Sequence, residues 1–344
     1  MRAALAIAVA LLAAATPAAA SQTIGRSALT AGPVLAGGSV LWADAPSGRP
    51  RVSSGGTGRD PVVLERWPRA TTKDTGRTVA ALAGSATSVA AVVETCTFTI
   101  ESDFGFLGCA ERAFGGPAGR FAPFGWPLPP RGLRPCPGPR APVSVAAGEN
   151  VIAVAYTPTC QGIAQAARAA AAARSRIVVR RGGTRRAIPS IGATQVRIAG
   201  RYLAYLEGVR TPERAVLYDL TRRERVRRVD GRDLTAIDVQ RDGALALVRT
   251  AGSRSCVSIV RRRERRLACR VADPGDVAIA GGRVLFARGT PRGARLVLIG
   301  PGGRRVLERA ARPRAIGGFD LAADRAVWSA GEPSGFQRIH LERL

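Results

Sequence analysis

The stretch Ile237-Asp-Val-Gln-Arg-Asp-Gly-Ala-Leu-Ala-Leu247 is an apolar run, a turn and a second apolar run. Asp242-Gly243 suits the positive φ of a tight hairpin turn, so the segment reads as two antiparallel strands. The same phrase recurs on both sides of it. Before it stand Pro33-Val-Leu-Ala-Gly-Gly-Ser-Val-Leu-Trp-Ala43, Val79-Ala-Ala-Leu-Ala-Gly84 followed by Ser88-Val-Ala-Ala-Val-Val93, Val143-Ser-Val-Ala-Ala-Gly-Glu-Asn-Val-Ile-Ala-Val154, and Val196-Arg-Ile-Ala-Gly-Arg-Tyr-Leu-Ala-Tyr205. After it come Val277-Ala-Ile-Ala-Gly-Gly-Arg-Val-Leu-Phe286 and Phe319-Asp-Leu-Ala-Ala-Asp-Arg-Ala-Val-Trp328. With Gly37, Gly84, Gly148, Gly200, Asp242, Gly281 and Ala323 as markers, the steps are 47, 64, 52, 42, 39 and 42 residues. Such spacing belongs to propellers and solenoids.

A second hairpin follows most copies. Ala215-Val-Leu-Tyr218 precedes Arg225-Val-Arg-Arg-Val229, Val257-Ser-Ile-Val260 precedes Leu267-Ala-Cys269, and Leu296-Val-Leu-Ile299 precedes Arg304-Arg-Val-Leu307. Four strands per unit make a blade, and a solenoid or sandwich lacks this rhythm. The expected fold is therefore all-β: a seven-bladed β-propeller of four-stranded antiparallel blades, occupying residues 21–344 as one domain. The seventh unit ends one strand short after Phe336-Gln-Arg-Ile-His-Leu341. Thr23-Ile-Gly-Arg-Ser-Ala-Leu29, ahead of the first unit, is expected to supply that outer strand and so close the ring. Two stretches break the rhythm: an aromatic and Pro-rich insertion at 96–142, and an Ala-rich stretch at 162–174 whose helix propensity predicts a short helix.

The Gln240-Arg-Asp-Gly-Ala-Leu-Ala-Leu247 turn resembles the Asp-Gly phrase of TolB-like, WD-repeat-like propeller repeats of exported bacterial proteins, and Ala323-Asp-Arg-Ala-Val-Trp328 is a looser match. The other copies carry Gly-Gly or Ala-Gly instead. The resemblance implies the repeat architecture and not a function, since propellers host enzymes and passive scaffolds alike. The Trp-Asp dipeptide and the sialidase Ser-x-Asp-x-Gly-x-Thr-Trp box are both absent.

Residues 1–20 read as a secretory signal: Arg2, an apolar stretch from Ala3 to Ala15, and Ala18-Ala19-Ala20 before Ser21 as the cleavage pattern. Thirteen apolar residues fall short of the roughly 20 that span a bilayer. The expectation is a mature chain, secreted or in the cell envelope, with no transmembrane segment and a monomeric state. In an oxidising compartment six cysteines are read as disulfides. Cys256 and Cys269 flank a strand, an arginine-rich turn and a strand, so their ends would face each other across a hairpin. The same twelve-residue interval separates Cys96 from Cys109, which leaves Cys136 with Cys160. No CxxC pair and no companion histidine suggests a metal set, and no cofactor motif is present.

His340 is the only histidine, and it alternates with Ile339 and Leu341 in an apparent strand. No Gly-x-Ser-x-Gly elbow accompanies it, so no catalytic residue is assigned. Loop carboxylates such as Glu94, Glu101, Asp103, Glu207 and Asp238 can converge at a propeller axis, which keeps a lyase or glycosidase as the alternative.

Charge is the remaining anomaly: 52 basic side chains stand against 25 acidic ones, and Lys73 is the sole lysine. Thirty-seven of the 51 arginines lie between Arg174 and Arg343. They cluster at the turns of second hairpins, which in a four-stranded blade share one face of the disc. Arg222, Arg223, Arg262 and Arg263 are the candidate anion-binding residues. The expected role is a binding or scaffold module for an anionic cell-envelope polymer or a partner protein. Specific nucleic-acid recognition is not expected, because no aromatics interleave with the arginines to stack bases.

Overall fold

The computed structural model describes residues 21–344 except 47–48, 70–74, 102–103, 118–119, 125–139, 159–174, 210, 272–274, 291, 312–314, 333 and 335. The side chains of 75, 97–101, 104–110, 140–141, 157–158 and 270–271 are likewise not described. The signal segment, the Ala-rich stretch at 162–174 and the Cys136 and Cys160 pair therefore lie outside the described residues.

The chain opens with β1 (Gln22–Ser27) and then builds blades in sequence order. Blade 1 is β2 (Leu29–Ala36), β3 (Ser39–Asp44), β4 (Arg51–Gly56) and β5 (Arg59–Arg66). Blade 2 is β6 (Thr75–Gly84), β7 (Ser88–Glu101), β8 (Phe104–Pro117) and β9 (Ala122–Pro123). Blade 3 follows with β10 (Arg140–Gly148), β11 (Val151–Pro158), β12 (Arg176–Arg181) and β13 (Thr184–Pro189). Blade 4 comprises β14 (Gln195–Ala199), β15 (Tyr202–Glu207), β16 (Arg214–Asp219) and β17 (Glu224–Asp230). Blade 5 has β18 (Leu234–Val239), β19 (Leu245–Ala251), β20 (Arg254–Val260) and β21 (Glu264–Val271). Blade 6 has β22 (Val277–Ala280), β23 (Arg283–Thr290), β24 (Gly293–Gly300) and β25 (Gly303–Ala311). Blade 7 is β26 (Ile316–Leu321), β27 (Arg325–Gly331) and β28 (Gln337–Arg343), with β1 paired antiparallel to β28 as its outer strand. The result is a seven-bladed β-propeller, closed by the N-terminal strand as the short seventh repeat predicts.

The second strand of each blade is sandwiched between neighbouring blades. Val89–Val93, Val151–Tyr156, Tyr202–Leu206 and Leu245–Val248 are buried without interruption. A strand covered on both faces reads as a continuous apolar run, which is why the repeat phrase is so apolar. Outer strands behave differently: Glu224–Asp230 is largely exposed and rich in arginine.

The core is divided among the seams between blades. One cluster joins blades 3 and 4 through Ile177, Val196 and Tyr205, and another joins blades 4 and 5 through Leu206, Leu217 and Ile237. The closing seam, between blades 7 and 1, packs Ile24, Leu35, Trp42, Val327 and Ile339 together. Seams tighten toward the axis, where small residues are required. A Cβ on Gly148 would lie 2.4 Å from Ile198 of the next blade.

The insertion at 96–142 takes a partly regular form. Its first half extends the middle hairpin of blade 2 into two paired 14-residue strands, and the outer strand β9 has only two residues. Cys96 is disulfide-bonded and faces Cys109 in the backbone register. Cys256 and Cys269 are also register partners, and they form a disulfide across β20 and β21.

Candidate functional site

Two regions gather charged side chains, the axial channel and one face of the disc. The channel is lined by the first strands of the blades, whose pleat sends alternate residues inward. Most lining residues are small or apolar, among them Gly84, Val145, Ala146 and Ala278. Arg197, Asp238, Asp276 and Asp320 stand among them, in a cavity of about 480 Å³. Arg197, Asp238 and Asp320 share the second position of the repeat phrase, after Val196, Ile237 and Phe319.

These side chains are tied into the scaffold. Arg197 pairs with Asp276 at 2.7 Å. The Asp238 carboxylate accepts the Ile279 N–H of the next blade at 2.7 Å, and the Asp320 carboxylate accepts the Leu35 N–H across the closing seam at 2.8 Å. Likewise, Gln195 accepts the Ile237 N–H at 3.1 Å and Ser144 accepts the Val196 N–H at 3.2 Å. The first strand of a blade has no strand on its axial side, so these side chains satisfy its free N–H groups. Burial pushes Asp238 up to about 7, opposed by the charge of Arg197 and reinforced by that of Asp320. Burial also raises Asp320, and the Asp276 charge holds Arg197 more firmly protonated.

Of the carboxylates named from the sequence, Asp238 alone is described as lining the channel. Glu207 is buried at the end of β15, accepts the Ile191 N–H at 3.3 Å and lies 3.9 Å from Arg214. Glu94 faces Glu111 across the long hairpin of blade 2, and burial raises Glu111 with help from the Glu94 charge. The side chains of Glu101 and Asp103 lie outside the described residues. Asp320 was detectable from its shared phrase position, whereas Asp276 sits in a linker just before β22 and carries no repeat signal. His340 stacks on Trp328 with ring centroids 5.4 Å apart, and burial lowers its pKa.

The turns joining first to second and third to fourth strands open on the same face, here called the turn face; the remaining connections form the loop face. The turn after β16 shows how arginines come to project there. Asp219 is buried, and its Oδ1 accepts the Thr221 and Arg222 N–H groups at 2.8 and 3.0 Å. The Arg223 N–H closes the turn on the Asp219 carbonyl at 2.7 Å, with Arg223 at φ 66°. Burial disfavours the Asp219 charge, but those two N–H donors and the Arg201 and Arg222 guanidinium groups outweigh it and lower the pKa. Backbone anchoring thus leaves Arg222 and Arg223 exposed at the tip.

Arg262 and Arg263 are exposed at the equivalent turn of blade 5. Among the described residues, Arg223, Arg262 and Arg263 form no ion pair, whereas Arg222 lies 3.9 Å from Glu224. Other members of the clusters are structural. Arg227 donates to the Gly243 and Val260 carbonyls at 3.3 and 3.4 Å, Arg228 pairs with Asp230 at 2.7 Å, and Arg305 pairs with Glu342.

No protein-family model matches the sequence, and no curated protein matches it. Solved structures do. Virginiamycin B lyase from Staphylococcus aureus is 11% identical, with a TM-score of 0.51 over 93% of this chain and 99% of that one. YCF48 bound to D1 peptide is 10% identical, with a TM-score of 0.48 over 94% and 92%. Hydrazine synthase from Kuenenia stuttgartiensis is 9% identical with a TM-score of 0.39; the match covers 60% of this chain and spans 59% of that one. At these identities the lyase match shows the propeller fold alone. The resemblance to TolB-like repeats accordingly rests on the turn phrases. Among the described residues, no helix is long and apolar enough to cross a membrane.

Proposed function

We propose that the chain is a binding propeller working outside the cytoplasm, whose turn face captures an anionic polymer of the cell envelope or medium. The observation that carries this reading is the exposure of arginines at the outer hairpin turns of four consecutive blades, Arg181 and Arg186, Arg222 and Arg223, Arg262 and Arg263, and Arg304. Their fields add over a shared face, and guanidinium forks match oxyanions. The enzyme alternative draws on the channel carboxylates. Asp238 and Asp320 already serve as acceptors for neighbouring backbones, a structural duty that accounts for their presence.

The test is binding of heparin to the mature chain across a salt series. The expected result is an affinity that falls steeply with salt and is abolished by reversing Arg222, Arg223, Arg262 and Arg263 to Glu. Undiminished retention on heparin by that variant contradicts the reading.

A further inference from the structure

The basic hairpins are not equivalent, and the difference lies in their acids. β16 and β17 include Asp219, Glu224 and Asp230, β21 begins with Glu264, and β25 carries Glu308. The hairpin of blade 3, Arg176-Ile-Val-Val-Arg-Arg-Gly-Gly-Thr-Arg-Arg-Ala-Ile-Pro189, contains no acid at all. Its arginines also straddle the sheet. Arg180 and Arg185 are cross-strand partners, while Arg181 faces Thr184 and Arg186 faces Val179. Alternation along a strand sends the first pair to one side of the blade and Arg181 and Arg186 to the other.

Each side opens into a groove between blades. Toward blade 2, Arg180 and Arg185 join Arg120, Thr87 and Asn150 around a groove of about 460 Å³. Both guanidinium groups lie over the Phe124 ring, at 4.9 and 5.5 Å from its centroid. Burial and the neighbouring Arg185 charge lower the pKa of Arg180, so an arriving anion would relieve a repulsion between like charges. Toward blade 4, Arg181, Arg186 and Arg223 rim a groove of about 260 Å³ with Thr184 and an apolar floor that includes Ile188 and Tyr218. Among the described residues, neither groove has an acidic residue in its lining. Both grooves can admit a sugar ring, with apolar surface for its faces and arginines for its charged substituents.

We infer that the outer hairpin of blade 3 is the seat of an anionic polysaccharide, which crosses Gly182-Gly183 and places charged groups in the grooves on both sides. This deepens the proposed function and rests on it: the arginines of blades 4 to 6 steer the polymer, and blade 3 holds it.

The experiment measures affinities for a heparin octasaccharide and for oligogalacturonate by fluorescence anisotropy, so that sulfate and carboxylate substituents are compared. R185Q/R186Q is set against R265Q/R266Q, a charge-matched pair on the outer strand of blade 5. The expected result is a loss of about 10-fold or more for the first variant and no more than about 2-fold for the second, with at least one of the two probes. R181Q/R186Q supplies a second reading from side chains exposed on the blade 4 side, and circular dichroism checks that each variant is folded. Equal losses for the matched pairs overturn the blade 3 seat and leave the polyanion reading standing. Failure of the unsubstituted protein to bind either probe at low salt overturns both.

Discussion

Asp238 is the side chain whose chemistry departs furthest from its appearance in the sequence. A carboxyl lifted from 3.8 to about 7 keeps its proton in the folded chain after the unfolded chain has released it. Over that window the native state binds more protons, so this residue makes stability fall as pH rises from about 4 to about 7. D238N retains an oxygen for the Ile279 N–H and has no proton to lose. Urea denaturation is expected to show D238N gaining on the native protein as pH rises through this window, with a constant difference above it; a pH-independent difference contradicts the assignment. Arg223 offers a second residue-scale test. A non-glycine residue at φ 66° is strained by about 1–2 kcal/mol, so R223G is expected to raise stability slightly while weakening heparin binding. Gly148 gives the opposite sign: G148A forces a methyl against Ile198 and is expected to cost about 1–3 kcal/mol in chemical denaturation.

Among the elements, the N-terminal strand carries the sharpest consequence. β1 adds Ile24 to the closing seam, pairs with β28 along most of its length, and is pinned by Arg26 to Glu332 at 2.6 Å. Deleting residues 22–30 exposes that seam and frees the edge of β28, at an expected cost of several kcal/mol, roughly 3 or more, and a clearly lowered Tm. An unchanged Tm contradicts closure by this strand. The closure was legible because the seventh repeat stops one strand short and a strand-like segment waits ahead of the first. The Cys256–Cys269 pairing was legible for a similar reason, since a turn of known position fixes what faces what. The long hairpin of blade 2 was harder to read. Gly105, Gly108, Gly115 and Gly116 interrupt its apolar pattern, and backbone pairing across 14 residues has no sequence period of its own.

At the scale of the whole molecule, repetition explains what could be read. Seven equivalent seams need seven similar apolar phrases, and a repeated physical demand leaves a repeated trace. The channel and the grooves arise only when blades meet. Arg180 and Phe124 lie 56 positions apart in the chain, and their contact follows from how blades 2 and 3 pack rather than from any local motif. The basic turns were visible as clusters, but their division into structural arginines and exposed ones depends on where Glu342, Asp230 and the Gly243 carbonyl lie. The central claim is that an anionic polymer lies on the turn face. Arginine modification with phenylglyoxal, mapped by mass spectrometry with and without heparin, tests it most directly. The account predicts protection of Arg181, Arg186, Arg222, Arg223, Arg262 and Arg263, with Arg49 and Arg254 on the loop face modified as readily as before. Protection of Arg49 and Arg254 with the turn-face arginines still reactive would contradict it.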